Sequence, residues 1–160
     1  MTMMKNALPA TSTRVERYTS PQVNDRIRIQ TNAEIARLER AKSVELEARM
    51  DEIDREWDIE RLLQANASIL VMLGVALGFA VHRRFLLLPA AVLSFFAQHA
   101  LQGWCPPIPV FRGRGVRTAR EIERERYAIK ALRGDFDGVP APGAADRATR
   151  VRAVLAAIDR

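Results

Sequence analysis

The chain has 160 residues and a formal net charge of +6, with 25 Lys and Arg against 19 Asp and Glu. This length suits one ordinary domain or a small helical assembly. A composition of 48% hydrophobic and 28% charged residues excludes a collagen-like, a prion-like or a wholly disordered chain. The single cysteine, Cys105, excludes an intrachain disulfide framework and a zinc site built from paired cysteines.

The first part of the chain predicts a disordered tail over residues 1–19, followed by polar and amphipathic helices over 20–61. Thr19 or Ser20 can cap a helix that has Pro21 at its first position, which is a common helix start. The predicted start of this helix therefore marks the end of the tail.

A weak break near Lys42 and Ser43 leaves two alternatives for this polar segment, one helix or two. From residue 46 the apolar residues step by four, three and four positions, which predicts a seam of about two heptads. The opposite face is acidic, and it is either solvated helix surface or a specific acidic docking site. Its acidic residues are Asp51, Glu52, Asp54, Glu56, Asp58 and Glu60. The seam consists of Leu46, Met50, Ile53 and Trp57.

The centre of the chain is nearly free of charge, with only Arg83 and Arg84 between residues 62 and 111. Residues 62–81 and 85–104 are two apolar stretches of twenty residues. As helices they would each be about 30 Å long, which is the thickness of the hydrocarbon core of a bilayer. The short connection predicts an antiparallel transmembrane hairpin over 62–104.

The alternative is the buried hairpin of a soluble helical bundle, which the few polar residues in both stretches favour. Apolar residues lie all round each helix rather than on one stripe, and this favours the membrane. A turn near residue 83 would place Ser68 opposite His99, Gly74 opposite Leu93, and Gly78 opposite Pro89. The predicted fold is an all-α membrane protein, in which cytoplasmic amphipathic helices flank a two-span transmembrane hairpin.

Basic residues near the ends of the spans predict the topology. Seven arginines flank the hairpin and two lie in its loop, so both termini are expected in the cytoplasm. No secretory signal is recognisable at the start of the sequence, so we expect the first span to act as the insertion signal. Four of the arginines are candidate contacts for anionic lipid headgroups: Arg112, Arg114, Arg117 and Arg120.

The C-terminal part predicts an irregular, proline-rich exit and then a basic juxtamembrane helix over 105–133. Thr118 and Glu121 form a capping box that opens this helix. A Gly/Pro linker follows over 134–143, and then a short amphipathic helix over 144–160. No nucleic-acid-binding module is recognisable, so the basic character of the chain points to lipid rather than to nucleic acid.

Together, several motifs resemble the YgaP-like family of two-helix inner-membrane domains. These motifs are DREWDIER before the first span, the paired short spans, the Gly103–Trp104–Cys105–Pro106 exit and the tail ERYAIKALRGDF. The resemblance covers about residues 54–136. It implies a bacterial inner-membrane hairpin that tends to form a homodimer and is often linked to rhodanese-type sulfur-handling proteins. This chain has no rhodanese domain and no second cysteine.

Cys105 and His99 form a candidate thiol site. Three interpretations of Cys105 remain open: a small packing residue at a helix end, a thiol that relays sulfane sulfur, or an intermolecular zinc or disulfide contact. No catalytic constellation, cofactor motif or complete metal site is visible, so no enzymatic activity and no cofactor are predicted.

Two functions therefore stay open for the chain. It is a non-enzymatic membrane anchor or scaffold that recruits a cytoplasmic partner, or a minimal sulfur-relay or small-anion transport element that acts through Cys105 with a rhodanese-type protein. A small-residue face on the first span either forms a homodimer or packs within the hairpin. That face consists of Ala67, Gly74, Gly78 and Val81.

Overall fold

The computed structural model describes residues 9–160, and within that range it is all-helical, with no strands and 72% helix. The all-helical part of the predicted fold class is therefore confirmed. In chain order the helices are α1 (Arg14–Arg17), α2 (Pro21–Leu38), α3 (Ser43–Arg55), α4 (Ile59–Ala80), α5 (Leu87–Gln102), α6 (Ile108–Gly113), α7 (Ala119–Arg133) and α8 (Arg147–Ile158).

The chain forms two compact units. Among the described residues, the first comprises 9–28 and 57–121 and contains α4 and α5, and we call it the hairpin unit. The second unit comprises 29–56 and 122–160 and contains α3 and α8.

The two predicted spans correspond to α4 and α5. Asp58 caps α4 by accepting a hydrogen bond from the backbone N–H of Arg61 at 2.8 Å, so the helix begins three residues before the predicted span. A 3₁₀ turn over Arg83–Leu86 connects the helices, and His82 Nδ1 accepts a hydrogen bond from the N–H of Arg84 at 3.1 Å. The turn residues that the sequence marked therefore form the bend.

Both helical segments of the hairpin are long and apolar enough to cross a membrane. The segments lie within Ser43–Ala80 and Arg83–Gln102, and only 11% of the apolar stretch in each is buried. Large side chains such as Phe79, which is 85% exposed, point away from the protein. The core helix of a soluble protein would instead be mostly buried.

The register of the hairpin differs from the predicted one. A Cβ on Gly74 would lie 2.4 Å from Cδ of Pro89, and one on Gly78 would lie 2.5 Å from Cδ2 of Leu86. The predicted partners, Leu93 and Pro89, were therefore wrong by three to four residues. The 3₁₀ turn makes the connection short, and the two glycines let Leu86 of the turn and Pro89 of α5 approach α4 closely.

The core of the hairpin unit corrects two further predictions. Val15 on α1 is buried against Ile59, Leu63, Cys105 and Ile108, so the second half of the predicted tail is packed, while residues 1–8 lie outside the described part. The proline-rich exit is also partly helical, because prolines fit the first turn of α6, where the missing N–H has no helical partner.

The seam on α3 packs within the second unit. Leu46 and Ile53 are buried against Ile122 and Ile129 of α7, and Met50 packs against the same cluster. Trp57 is not part of this seam, because α3 ends at Arg55. The indole of Trp57 instead lies under the guanidinium of Arg61, with 4.2 Å from Cζ to the ring centroid.

The predicted helix starts are largely confirmed. The helix α2 begins at Pro21, and the hydroxyl of Ser20 accepts a hydrogen bond from the N–H of Val23 at 3.4 Å. In the capping box of α7, Glu121 accepts from the N–H of Thr118 at 2.8 Å, and the Thr118 hydroxyl accepts in return at 3.3 Å. The predicted break falls between α2 and α3.

Candidate functional site

The C-terminal end of α5 carries the chemically distinct residues of the hairpin unit. Gly103 ends the helix in the left-handed conformation, with φ of 85°, and its N–H donates to the carbonyl of His99 at 2.7 Å. Cys105 follows two residues later and is 6% exposed. The start of α1 packs against this turn, because a Cβ on Gly103 would lie 2.6 Å from Cβ of Arg14.

A partly buried polar cluster lies beside this turn. His99 is 2% exposed, and its Nε2 lies 2.8 Å from Oε2 of Glu60. The other carboxylate oxygen of Glu60 accepts a hydrogen bond from Nη2 of Arg14 at 2.8 Å. Glu60 thereby joins α1, α4 and α5 through one carboxylate.

Two nitrogens of this cluster have no hydrogen-bond partner among the described residues. They are Nδ1 of His99 and Nε of Arg14, and both are buried. Buried polar groups in folded proteins are usually paired, so these two nitrogens are exceptions within the described part of the chain.

Cys105 lines an apolar cavity of about 260 Å³ between the two hairpin helices. Among the described residues that line it, Asn66 is the one with a polar side chain apart from the thiol. Such a cavity suits hydrocarbon or a nonpolar small molecule and offers almost no hydrogen bonds that would orient a polar substrate. The other lining residues are Leu63, Ala67, Leu88, Ala91, Val92, Phe95, Phe96, Pro106 and Pro107.

The two residues of the candidate thiol site do not act as a nucleophile and base pair in this geometry. Among the described residues Nδ1 of His99 has no partner and Nε2 contacts Glu60, so neither ring nitrogen is hydrogen-bonded to Cys105. Burial raises the pKa of the Cys105 thiol, which favours the unreactive protonated form. The described residues also contain no group of three or more His, Cys, Asp or Glu side chains placed to hold a metal ion.

The prediction that Arg112 contacts lipid headgroups was wrong. Arg112 is completely buried, and its guanidinium forms a double hydrogen bond with Glu121 at 2.6 and 2.8 Å. It also donates to the amide oxygen of Asn24 at 2.8 Å, the carbonyl of Val116 at 2.9 Å and the hydroxyl of Thr19 at 3.3 Å. Its donors are all used inside the hairpin unit, so none is left for a ligand.

The other three predicted headgroup contacts are placed differently. Arg117 is 7% exposed, so it too is unsuited to contact a headgroup. Arg114 is exposed, and Arg120 is exposed and lies 3.6 Å from a carboxylate oxygen of Glu16. Only Arg114 and Arg120 of the four therefore remain accessible.

The small-residue face divides among different surroundings. Gly74 contacts Pro89 of α5 and Gly78 contacts Leu86 of the 3₁₀ turn, so both pack within their own hairpin, while Ala67 lines the cavity and Val81 is 65% exposed. The four residues therefore do not form one free surface for a homodimer.

Sequence reasoning missed the residues that organise this site. Glu60 was assigned to an acidic face and Arg14 to the tail, although both contact the end of α5. Asn24 gave no signal, because a polar residue on a polar helix looks solvated. A buried His99 in an apolar helix was the available clue, since a buried ring nitrogen needs a partner.

No protein-family model, no curated protein and no solved structure matches this chain.

Proposed function

We propose that this chain is a small integral membrane protein in which α4 and α5 form a transmembrane hairpin. One observation carries the proposal: the apolar stretches of both helices are about nine-tenths unburied within the protein. Exposing large apolar side chains to water is unfavourable, and transferring them into hydrocarbon lowers their free energy. Lipid is the surrounding that suits them.

Within this proposal, the membrane is the bacterial inner membrane and both termini are cytoplasmic. The motifs of the YgaP-like family support the first point, and the excess of arginines outside the loop of the hairpin supports the second. Arg83 and Arg84 lie in the 3₁₀ turn and are exposed, so their long side chains can reach the opposite membrane surface.

We further propose that the protein is a non-enzymatic anchor or scaffold whose flanking helices recruit a cytoplasmic partner. The buried thiol of Cys105, with its raised pKa, supports an anchor over a sulfur relay or a small-anion transport element. A rhodanese-type protein is the partner that the family resemblance suggests. A homodimer, if formed, would need a face other than the two glycines, which the hairpin itself covers.

Insertion and topology are tested together. Alkaline carbonate extraction of bacterial membranes should leave the chain in the pellet, and release into the supernatant would contradict insertion. Alkaline phosphatase and fluorescent-protein fusions after Arg83 and after Arg160 should report opposite sides of the membrane. A periplasmic report from the fusion after Arg160 would contradict the proposed orientation.

A further inference from the structure

One face of helix α8 packs against the rest of the second unit. Ala157 is 3% exposed, and the carbonyl of Ile158 accepts a hydrogen bond from Nζ of Lys130 on α7. Arg133 donates to the carbonyl of Arg160 at 3.1 Å. Asp146 caps the other end by accepting from the N–H of Ala148 and of Thr149. The helix therefore presents a defined second face to its surroundings.

That second face is apolar and uncovered. Val151, Leu155 and Ile158 are spaced four and three residues apart, so they lie on one side of the helix. Their exposed fractions are 48%, 54% and 39%. We call these three residues the α8 stripe. Moving an apolar stripe of this kind from water into an apolar phase lowers its free energy.

Uncompensated positive charge accompanies the α8 stripe. Helix α8 carries Arg147, Arg150 and Arg152 and no Asp or Glu between Arg147 and Ile158. Within residues 9–160, none of these three arginines is ion-paired with a carboxylate. By contrast, Arg133 on α7 is ion-paired with Asp135 at 2.6 Å. The charge of α8 is therefore available to an anionic partner.

We infer that α8 lies in the plane of an anionic bilayer surface, with the α8 stripe inserted and its arginines at the lipid phosphates. This inference rests on the proposed function, which brings the chain to a membrane. A helix with an apolar face and arginines beside it has the composition of interfacial membrane-binding helices. A second copy of α8 would bring like charges together, and a nucleic acid would leave the stripe in water.

The test uses the full chain in lipid nanodiscs. An environment-sensitive NBD dye is attached at Ala148→Cys in a Cys105→Ser background, because Ala148 is exposed and lies beside the stripe. Discs of phosphatidylcholine alone are compared with discs that contain 30% phosphatidylglycerol. We expect a blue-shifted emission, quenched by lipids that carry a spin label near the headgroup, in the anionic discs. The signal should weaken at high salt.

Two variants separate the apolar from the charged contribution. V151Q/L155Q/I158Q should abolish the blue shift. R147Q/R152Q should lower the ratio of bound to free α8 about 30-fold. Arg150 is kept, since it donates to the carbonyl of Pro140 at 3.1 Å. The matched control, R40Q/R55Q, removes the same charge from exposed arginines that lie near carboxylates, and it should leave the signal unchanged.

The outcomes distinguish the inference from the proposed function. A chain that carbonate releases from membranes contradicts the hairpin, whereas a chain that stays inserted without any blue shift contradicts only the role of α8. Equal signals in both disc types would overturn an anionic lipid partner. The signal could also disappear when each disc holds only one copy of the labelled protein. That result would assign the α8 stripe to contact with a second copy and would likewise overturn an anionic lipid partner.

Discussion

Gly103 and the main chain of Arg14 are in direct contact, since a Cβ on Gly103 would lie 2.7 Å from the carbonyl oxygen of Arg14. The glycine is therefore needed for two reasons at once. It adopts a positive φ that ends α5, and it leaves room for α1. The Gly–x–Cys–Pro element of the sequence is thus the place where the N-terminal segment joins the hairpin.

Replacing Gly103 with alanine should destabilise the protein more than the same change at Gly115. Gly115 has a similar φ of 90°, and a Cβ there would meet no atom of the described residues within 4 Å, so G115A measures the cost of the left-handed backbone alone, about 1–2 kcal/mol. G103A adds a clash with α1, worth roughly 1–3 kcal/mol more. Thermal unfolding in detergent measures both. Equal midpoints for the two variants would contradict the contact.

The clash in G103A should release α1 from the turn after α5, and the released helix should become sensitive to protease. Arg17 is exposed, but the short helix around it is anchored by Val15, which is 4% exposed. Limited trypsin digestion should therefore cut at Arg17 faster in G103A than in G115A.

The hairpin predicts that large side chains are not tolerated at Gly74. G74I would place a branched side chain against Pro89. It should lower the unfolding midpoint and reduce the free energy of unfolding by roughly 1–3 kcal/mol. A76I is the control, because Ala76 lies on the exposed side of the same helix. If G74I instead unfolds normally but loses self-association in a crosslinking assay, the glycine belongs to a dimer contact.

Removing Arg112 should be one of the most damaging single changes outside the hairpin helices. R112A leaves the carboxylate of Glu121, whose side chain is only 18% exposed, without its cation, and breaking such a largely buried pair costs about 3–5 kcal/mol. R114A removes an exposed neighbour and should stay within about 0.5 kcal/mol. Chemical denaturation in detergent compares the two. Equal losses would mean that Arg112 is not a structural residue.

The same ion pair predicts a specific acid sensitivity. Burial by itself would raise the pKa of Glu121, but the hydrogen bonds from Arg112 and from the N–H of Thr118 together hold it below its ordinary value of 4.5. A carboxyl whose pKa is lowered by folding stabilises the protein above pH 4.5, and this stabilisation is lost as the pH falls through the folded value.

E121Q should accordingly flatten the decline of stability below pH 4.5, whereas E47Q, an exposed change of the same charge, should keep it. Unfolding midpoints from pH 7 down to pH 3 give the comparison. The prediction fails if the unfolding midpoints of the parent protein and of E121Q fall in parallel as the pH is lowered.

Periodicity and capping predicted the elements of this fold well, because they depend on neighbouring residues. The start of α2 at Pro21 and the capping box of Thr118 and Glu121 are local patterns, and both are found. The register of the hairpin was missed, since it depends on how the 3₁₀ turn and two glycines set the approach of α5. No single segment contains that information.

The candidate site shows the same limit for charged residues. Arg112 stands among other arginines in sequence, and only the fold shows that it is buried while Arg114 is exposed. His99 finds its partner 39 residues away in Glu60. Pairings over such distances follow from packing, whereas composition reports only that the charges exist.

The last prediction concerns Cys105, because its reactivity separates an anchor from a sulfur relay. A buried thiol with a raised pKa should react slowly, since the thiolate is the reactive form and Cys105 is 6% exposed. At pH 7.5, a maleimide should label it at least about tenfold more slowly than A144C in a Cys105→Ser background, where residue 144 is exposed. Denaturant should equalise the two rates. In cells, both C105S and C105A should rescue a deletion strain if the protein is an anchor. Rapid labelling, together with failed rescue by both variants at normal expression and insertion, would establish the relay instead.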